Sequence, residues 1–482
     1  MLKDIINIRK QKIEELKKTG INPYPEKVKR DFSISEILKN FNSFSKKGKK
    51  IYVVGRILAL RDHKDIFFAD ICDMSGKIQI ILKKDSLKNK ALDFFRKFFD
   101  IGDFIEVKGK AVKSQTKEKS ILVEEYRLIA KSLRPIPSVW YGLEDVEERF
   151  RKRYLDLLMN PEVKERFLLR SEIISLIREF LNNLGFIEVE TPILQTVYGG
   201  ANAQPFKTHL EYLNLDLYLR IAPELYLKRL IIGGFEKIYE IGRCFRNEGI
   251  DREHNPEFSL LELYSAYSSR EDLMELIEDM FRFLAKKLRK KLLHLSDLFK
   301  RKWPRIKYED FLKKKTGLGF DEDLDLWLKK ARELEIELEK KDIKKEKIFE
   351  LIFKKYRREI KEPTYIIDHP VEISPLAKRK EDSPNLVSRF QLIVNGWELV
   401  NGFSELNDPL DQRERFLKQE EMRQKGDLEA HPQDEEFLEA LEYGMPPTAG
   451  LGIGIDRLVA VLTEAPSLKE VIFFPFMKPK KE

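Results

Sequence analysis

Glu240-Ile241-Gly242-Arg243-Cys244-Phe245-Arg246-Asn247-Glu248-Gly249, followed by His254-Asn255-Pro256-Glu257-Phe258, is the stretch that decides how this chain is read. A second stretch far downstream, Gly450-Leu451-Gly452-Ile453-Gly454-Ile455-Asp456-Arg457, completes it. Each sets an arginine beside backbone or aromatic groups suited to a nucleotide, with guanidinium forks for phosphates and a flat ring for a base. Neither is a glycine loop of the Walker or Rossmann kind, so a nucleotide would be held by other chemistry. Around them the apolar pattern predicts strands at 238–245 and 257–265 bracketing a loop, and a glycine loop, strand and helix over 450–462.

Outward from these segments, composition sets limits. The chain has 482 residues, 42% apolar and 36% charged, enough for a substantial core. No apolar run is long enough to span a bilayer, and residues 1–18 are charged and lack the apolar block of a signal peptide. Two cysteines, Cys72 and Cys244, give no disulfide framework, which points to a reducing cytoplasm. Residues 1–140 hold 32 Lys and Arg against 18 Asp and Glu, whereas the remainder holds 58 against 64. A basic first third on a near-neutral body implies that this module meets a polyanion.

The basic module has its own signature. Residues 1–20 read as a helix stopped by Gly20. Strands follow at 51–58, 66–72 and 78–82, then a helix over 87–99 and strands at 104–112 and 121–129. Three strands, a helix and two strands is the order of a five-stranded OB barrel, which binds single-stranded nucleic acid on its second and third strands. Of the adjacent Phe67 and Phe68 one must face outward and be available to stack. Arg134-Pro135-Ile136-Pro137 marks a linker. Beyond it the pattern predicts helices at 144–158 and 161–184, strands at 186–189 and 217–221, and a helix opened by Pro223. Charged helical stretches at 270–302 and 323–361 read as an insertion, with strands at 364–374, 387–395 and 397–404 and a helix-rich stretch at 411–442.

Taken in order, these motifs resemble those of a class II aminoacyl-tRNA synthetase of the lysyl type. Gly185-Phe186-Ile187-Glu188-Val189-Glu190-Thr191-Pro192 resembles the first class motif, Arg246 to Glu262 the second, and Gly450 to Arg457 the third. Gly199-Gly200-Ala201, Ala222-Pro223-Glu224-Leu225-Tyr226-Leu227-Lys228 and Asn401-Gly402-Phe403-Ser404-Glu405-Leu406-Asn407-Asp408 are similar to the lysyl-type features, as is the ending Phe474-Pro475-Phe476-Met477-Lys478-Pro479. The resemblance covers nearly the whole chain. It implies an α+β protein: a helical extension over 1–50, an OB-fold anticodon-binding domain over 51–133, a linker over 134–143, and a catalytic domain over 144–482. That catalytic domain would be an antiparallel sheet flanked by helices, with a helical insertion near 270–361. It also implies a homodimer built on the first motif.

The implied chemistry is attack of the lysine carboxylate on the α-phosphorus of ATP, then transfer to the terminal adenosine of tRNA(Lys). Arg246 and Arg457 are the expected catalytic guanidinium groups, since a fork donates two parallel hydrogen bonds to phosphate or carboxylate oxygens. ATP would be bordered by Arg246, Asn247, Glu248, His254, Asn255, Phe258, Glu398, Gly454, Ile455, Asp456 and Arg457, with adenine between Phe258 and Arg457. Glu262 and Glu405, with the Tyr264 hydroxyl, supply acids for the substrate ammonium. Glu262 and Tyr264 are two apart on a strand and so share a face. An acidic substrate would want Arg or Lys at these places. By the resemblance, Gly200 and Glu224 hold the α-amino end, and Asn401, Phe403 and Arg246 complete the lysine site.

Magnesium is the implied cofactor, at more than one ion in the family's usual arrangement, with Glu398 as ligand. The family commonly has a second acid seven residues earlier; here that position is Gln391, which leaves the number of ions open. Gln204 stands where an arginine is common. On the barrel, Arg61, Phe68, Gln79 and Glu125 fall where lysyl-type enzymes contact the anticodon. An aspartyl- or asparaginyl-type synthetase is disfavoured by Glu262 and Glu405. A protein-modifying relative is disfavoured by the barrel, and a decayed nucleic-acid binder by retention of Arg246, Glu398 and Arg457.

Overall fold

The computed structural model describes residues 2–87, 90–137, 145–289, 291, 299, 301–338, 344–425 and 432–480. It falls into two compact units, residues 1–144 and 145–482. Of the expected linker, 138–143 lies outside the described residues.

In the first unit, strands β1 (Lys50–His63), β2 (Ile66–Cys72), β3 (Lys77–Lys83), β4 (Phe104–Lys113) and β5 (Lys119–Ala130) close a barrel in the order β1-β2-β3-β5-β4. Alternation drives closure: Ile51, Val53 and Ile57 of β1 and Phe67, Ala69 and Ile71 of β2 point inward. The N-terminal helices are part of this body, since Leu16, Ile34, Ile37 and Phe41 belong to the same core. Helix Ala91–Phe98 packs Phe95 against Phe67, with ring centroids 5.1 Å apart.

The second unit is built on an eight-stranded sheet. Its strands, with those of a small accessory sheet, are β6 (Ile187–Glu188), β7 (Leu194–Gln195), β8 (Phe206–Leu210), β9 (Leu215–Leu219), β10 (Lys237–Phe245), β11 (Glu257–Ala266), β12 (Arg305–Lys307), β13 (Thr364–Pro370), β14 (Leu386–Val394), β15 (Trp397–Ser404) and β16 (Thr448–Gly454). The main order is β12-β13-β14-β15-β16-β11-β10-β6, antiparallel apart from the two edge pairs. The accessory sheet is β7-β9-β8. Helices Pro161–Asn183, Arg270–Lys287 and Ile455–Leu462 cover one face through a single apolar core. In the first of these, Val163, Phe167, Ile173, Ile177 and Leu181 recur on one side of the helix.

Several elements depart from the sequence pattern. The glycines at 450, 452 and 454 form a central strand, β16, rather than a loop; partners on both sides supply the hydrogen bonds that outweigh glycine's low strand preference. Helix Arg270–Lys287, expected within the insertion, is a core helix fixed by a Ser269–Asp272 capping box. The inserted material proper is helices Tyr308–Thr316, Leu324–Glu333 and Lys345–Tyr356, which share a core around Trp327 and Phe349. The stretch 411–442 is two helices, Pro409–Gln424 and Glu435–Glu442, and its residues 426–431 lie outside the described ones. The expected strand at 186–189 is reduced to Ile187–Glu188. Among the described residues no helix is long and apolar enough to cross a membrane.

Candidate functional site

Sheet register assembles the site on the face opposite the three core helices. Gln391, Asn401, Gly452, Glu262 and Glu240 are successive cross-strand partners from β14 to β10. One step along, Arg389, Phe403, Gly450 and Tyr264 form a second row. Leu261 and Leu263 of β11 enter the helix-side core, so Phe258, Leu260, Glu262 and Tyr264 face the other way. From Phe258 to Tyr264 is six residues, about 20 Å of strand. A cavity of about 320 Å³ runs along this face.

At one end of the cavity stand three buried acids, Glu224, Glu262 and Glu405. Lys228, one helical turn after Glu224, donates to Glu224 Oε1 at 2.6 Å and is in close contact with Glu405 Oε2. That single buried cation serves two of the acids. Glu262, 5% exposed, has the Tyr264 hydroxyl as its donor, at 3.1 Å. Burial, then the charge of Glu224, pushes the Glu262 carboxyl well above the usual range. The chamber thus carries more carboxylates than cations, a setting that favours a bound ammonium. Two glycines make it possible. A Cβ on Gly450 would lie 2.4 Å from Glu405 Oε1 and from the Tyr264 ring. Gly200, at φ +87°, abuts Glu224, where a Cβ would come within 2.8 Å of the Glu224 Cβ.

Toward the other end the charge reverses. The Arg246 guanidinium lies 5.0 Å from the Phe258 ring centroid. Arg457, on the helix that follows β16, donates to the backbone oxygens of Glu253 (3.4 Å) and Glu398 (3.2 Å). The loop between β10 and β11 is pinned at several points. Arg246 N–H donates to the Pro256 oxygen at 2.8 Å, and Asp251 Oδ1 accepts from the backbone of Glu253 and His254. The Asn255 side chain donates to the Glu257 oxygen at 2.6 Å. Asn247 N–H donates to the Gln204 oxygen at 2.7 Å, which gives Gln204 a backbone role in holding this loop.

Most of the residues expected from the sequence come together here: Gly200, Glu224, Arg246, Glu248, His254, Asn255, Phe258, Glu262, Tyr264, Glu398, Asn401, Phe403, Glu405, Gly454, Asp456 and Arg457 all line the cavity. Asn247, Ile455 and Gln391 do not. Ile455 is a core side chain at the start of its helix. Asp456 accepts from Ser259 N–H at 2.8 Å and pairs with Arg170 at 2.6 Å, so it braces β11 as well as lining the cavity.

Sequence reasoning missed four residues. Lys228 could have been found from its i,i+4 relation to Glu224. Arg389 orients Asn401 by donating to its Oδ1 at 2.8 Å and also reaches the Ile373 oxygen and Ser374. Arg357 and Glu253, which pair at 2.6 Å, come from distant segments and leave no local signal.

The fit to magnesium is partial. Burial alone would raise Glu398, but Arg357, Arg457 and Arg389 outweigh it and hold the carboxyl below its usual value, so it is anionic at neutral pH. Gln391 is buried and not among the residues lining the cavity; its Oε1 lies 3.1 Å from buried His369 Nε2. Among the described residues no cluster of three His, Cys, Asp or Glu side chains is placed to hold a metal. A cation here would draw on Glu398 and on the phosphates of a nucleotide.

On the barrel, Phe67 is core and Phe68 faces outward, edge-on to His63 with ring centroids 5.8 Å apart. Arg61, the cross-strand partner of Phe68, grips Asp70 through both terminal nitrogens. Asp70 is paired with Gln79, whose amide donates to Glu118 at 3.0 Å and accepts from Ser120 at 2.9 Å. Arg61, Phe68 and Gln79 therefore share one outer face. Glu125 is not placed with them; it pairs with Lys108 across β4 and β5 at 3.1 Å, and Glu118 is the acid beside Gln79.

Comparison with known proteins agrees with both units. Residues 145–478 match the family of class II tRNA synthetases for D, K and N, and residues 51–129 match the OB-fold nucleic-acid-binding domain. The lysine--tRNA ligase of Thermotoga maritima is 47% identical over 490 residues, covering 100% of this chain and 97% of the relative. The lysine--tRNA ligase of Carboxydothermus hydrogenoformans is 48% identical, covering 99% of each. That of Thermosipho africanus is 46% identical, covering 99% of this chain and 97% of its own. An OB barrel with a basic surround, an antiparallel class II sheet and a cavity running from acids to guanidinium groups thus meet full-length likeness, and the chain belongs to the class II lysyl-tRNA synthetases.

Proposed function

We propose that the chain activates L-lysine with ATP to lysyl-adenylate and transfers the lysyl group to the 3′-terminal adenosine of tRNA(Lys). The observation that carries the substrate assignment is the acid chamber, where one internal cation, Lys228, serves Glu224 and Glu405 while Glu262 has a hydroxyl as its donor. A lysine ammonium entering there supplies the missing charge and hydrogen bonds. Glu224 and Gly200 take the α-amino end, with Asn401 and Phe403 alongside. The substrate carboxylate then points toward Arg246. One of its oxygens forms the new bond to the α-phosphorus as the bond to the β-phosphate bridging oxygen breaks and pyrophosphate leaves. No side-chain nucleophile takes part; Arg246 and Arg457 spread the phosphate charge, and the site aligns the reacting groups. In the second step a ribose hydroxyl attacks the lysyl carbonyl and AMP leaves.

Glu398 would hold magnesium, and the ion would supply further neutralisation of phosphate charge. Anticodon bases would stack on Phe68 and meet Arg61 and Gln79, with Glu118 beside them. A homodimer is supported by the exposed apolar residues Ile187, Ile193 and Leu194 in and next to the first motif. A cytoplasmic location accords with the two-cysteine composition. Lysine-dependent exchange of labelled pyrophosphate into ATP, followed by charging of a tRNA(Lys) transcript, tests the reading. No exchange would overturn it, and exchange without charging would confine it to activation.

A further inference from the structure

The motifs leave the helical insertion without a role, yet its last turn reaches Glu253, a residue that lines the cavity. Helix Lys345–Tyr356 ends in a 3-10 turn, Arg357–Glu359, that buries Arg357 to 3% exposure. The two terminal nitrogens of Arg357 go to different places. Nη2 donates to Glu253 Oε2 at 2.6 Å, and Nη1 donates to the Gly396 oxygen at 3.1 Å. Glu253 belongs to the loop between β10 and β11, lines the cavity, and offers its backbone oxygen to Arg457. Gly396 is in the turn joining β14 to β15, two residues before Glu398. The same turn is held to the insertion by its backbone: Gly396 N–H donates to the Ile360 oxygen at 2.7 Å, and Asn395 N–H to the Lys361 oxygen at 2.9 Å. A single guanidinium therefore bridges the nucleotide loop and the hairpin that carries Glu398.

We propose that Arg357 is a positioning residue for ATP, through which the helical insertion locks the 246–256 loop to the β14–β15 turn and so fixes Arg457 and Glu398 relative to each other. The inference rests on the activity proposed above and adds to it a function for the insertion. Arg357 is not a lining residue of the cavity; it is linked to the cavity through Glu253, which is one. The acid chamber lies at the other end of β11 and makes no contact with the pair, so the effect should fall on ATP and spare lysine. A fork is required, because one ammonium cannot span two acceptors in different segments with the same rigidity.

The test uses the full-length protein and four variants: R357M, E253Q, R357E and the swapped pair E253R/R357E. Two readouts are taken, KM for ATP and for lysine in pyrophosphate exchange, and amide hydrogen exchange of residues 247–256 without ligands. For R357M the expectation is a rise in KM for ATP of roughly tenfold to a hundredfold, the range for a misplaced catalytic constellation. KM for lysine should move by less than about twofold, since its contacts are untouched. The 247–256 loop should lose protection while the barrel keeps its own. E253Q should show the same selectivity at smaller size and leaves the insertion's own packing intact if R357M folds poorly. The swapped pair should recover most of what R357E loses. An unchanged KM for ATP, parallel rises for both substrates, or a swap no better than R357E would each overturn the proposal. Absence of exchange by the unmodified protein would overturn the activity reading instead, and the hydrogen-exchange readout would still decide this one.

Discussion

Glu262→Gln is the perturbation with the most definite expectation. The replacement is isosteric, keeps an oxygen for the Tyr264 hydroxyl and removes one charge. In the complex the substrate ammonium would sit about 3 Å from this carboxylate; at an effective dielectric near 20, two unit charges at that separation attract by about 5 kcal/mol. Breaking a buried pair from one side costs about 3–5 kcal/mol in practice. Glu405 and Glu224 remain but already share Lys228, so their compensation is partial. At about 1.4 kcal/mol per decade, kcat/KM for lysine should fall by two to three orders of magnitude, roughly. KM for ATP should change by less than about threefold, because no nucleotide contact is lost. The apo protein should respond in the opposite sense. Since the folded-state value of Glu262 is raised, the native state binds a proton more tightly than the unfolded chain, and the carboxyl destabilises the fold increasingly as pH climbs above its unfolded value. Glutamine has nothing to ionise, so Tm of the variant at neutral pH should exceed that of the parent and the difference should vanish in acid. Pyrophosphate exchange at varied lysine and varied ATP, with calorimetric unfolding at two pH values, measures all of this. Lysine kinetics within about threefold of the parent would refute the chamber assignment, whatever the stability change.

Four further outcomes follow from the same geometry. Burial pushes Glu405 up to about 8, against the pull of Lys228 and with the push of Glu224. The chamber acids must lose protons to receive a lysine that stays protonated to about pH 10, so lysine affinity measured by calorimetry should rise from pH 6 to 8 with proton release, and a flat profile would contradict this. Arg246→Lys should cut the single-turnover rate of adenylate formation by at least about a hundredfold, because a point charge cannot replace the fork; an unchanged rate would remove Arg246 from the reaction. Gln391→Glu adds a second carboxylate next to Glu398 and should raise the number or affinity of Mn2+ ions counted by electron paramagnetic resonance with a non-hydrolysable ATP analogue, and identical titrations would show that position 391 does not touch the metal. Phe68→Ala should raise KM for tRNA(Lys) about tenfold through one lost stacking contact while leaving pyrophosphate exchange intact; equal charging kinetics would take Phe68 off the anticodon face.

How much of this was legible in the sequence depended on whether a residue's role is set locally. The barrel strands were readable because alternation on β1 and β2 is a local pattern, and Phe67 and Phe68 split inward and outward as a strand requires. Glu262 and Tyr264 were readable for the same reason. The strand at 448–454 was not, because glycines say nothing about the partners β11 and β15 that make it a strand. Helix Arg270–Lys287 looked like part of an insertion because charge pattern does not show which core a helix enters. Arg389, Arg357 and Glu253 were invisible, since each acts on a residue brought close by long-range pairing. Glu118 and Glu125 are both acids on or beside β5, and the barrel's register, rather than composition, puts Glu118 next to Gln79.

The most direct measurement of the central claim is a crystal structure with L-lysine and a non-hydrolysable ATP analogue bound. The substrate Nζ should lie within about 3 Å of the Glu262 carboxylate, its α-carboxylate should face Arg246, and the adenine should rest on Phe258. A lysine side chain turned toward the arginines, with the chamber of Glu224, Glu262 and Glu405 holding no amine, would contradict the account.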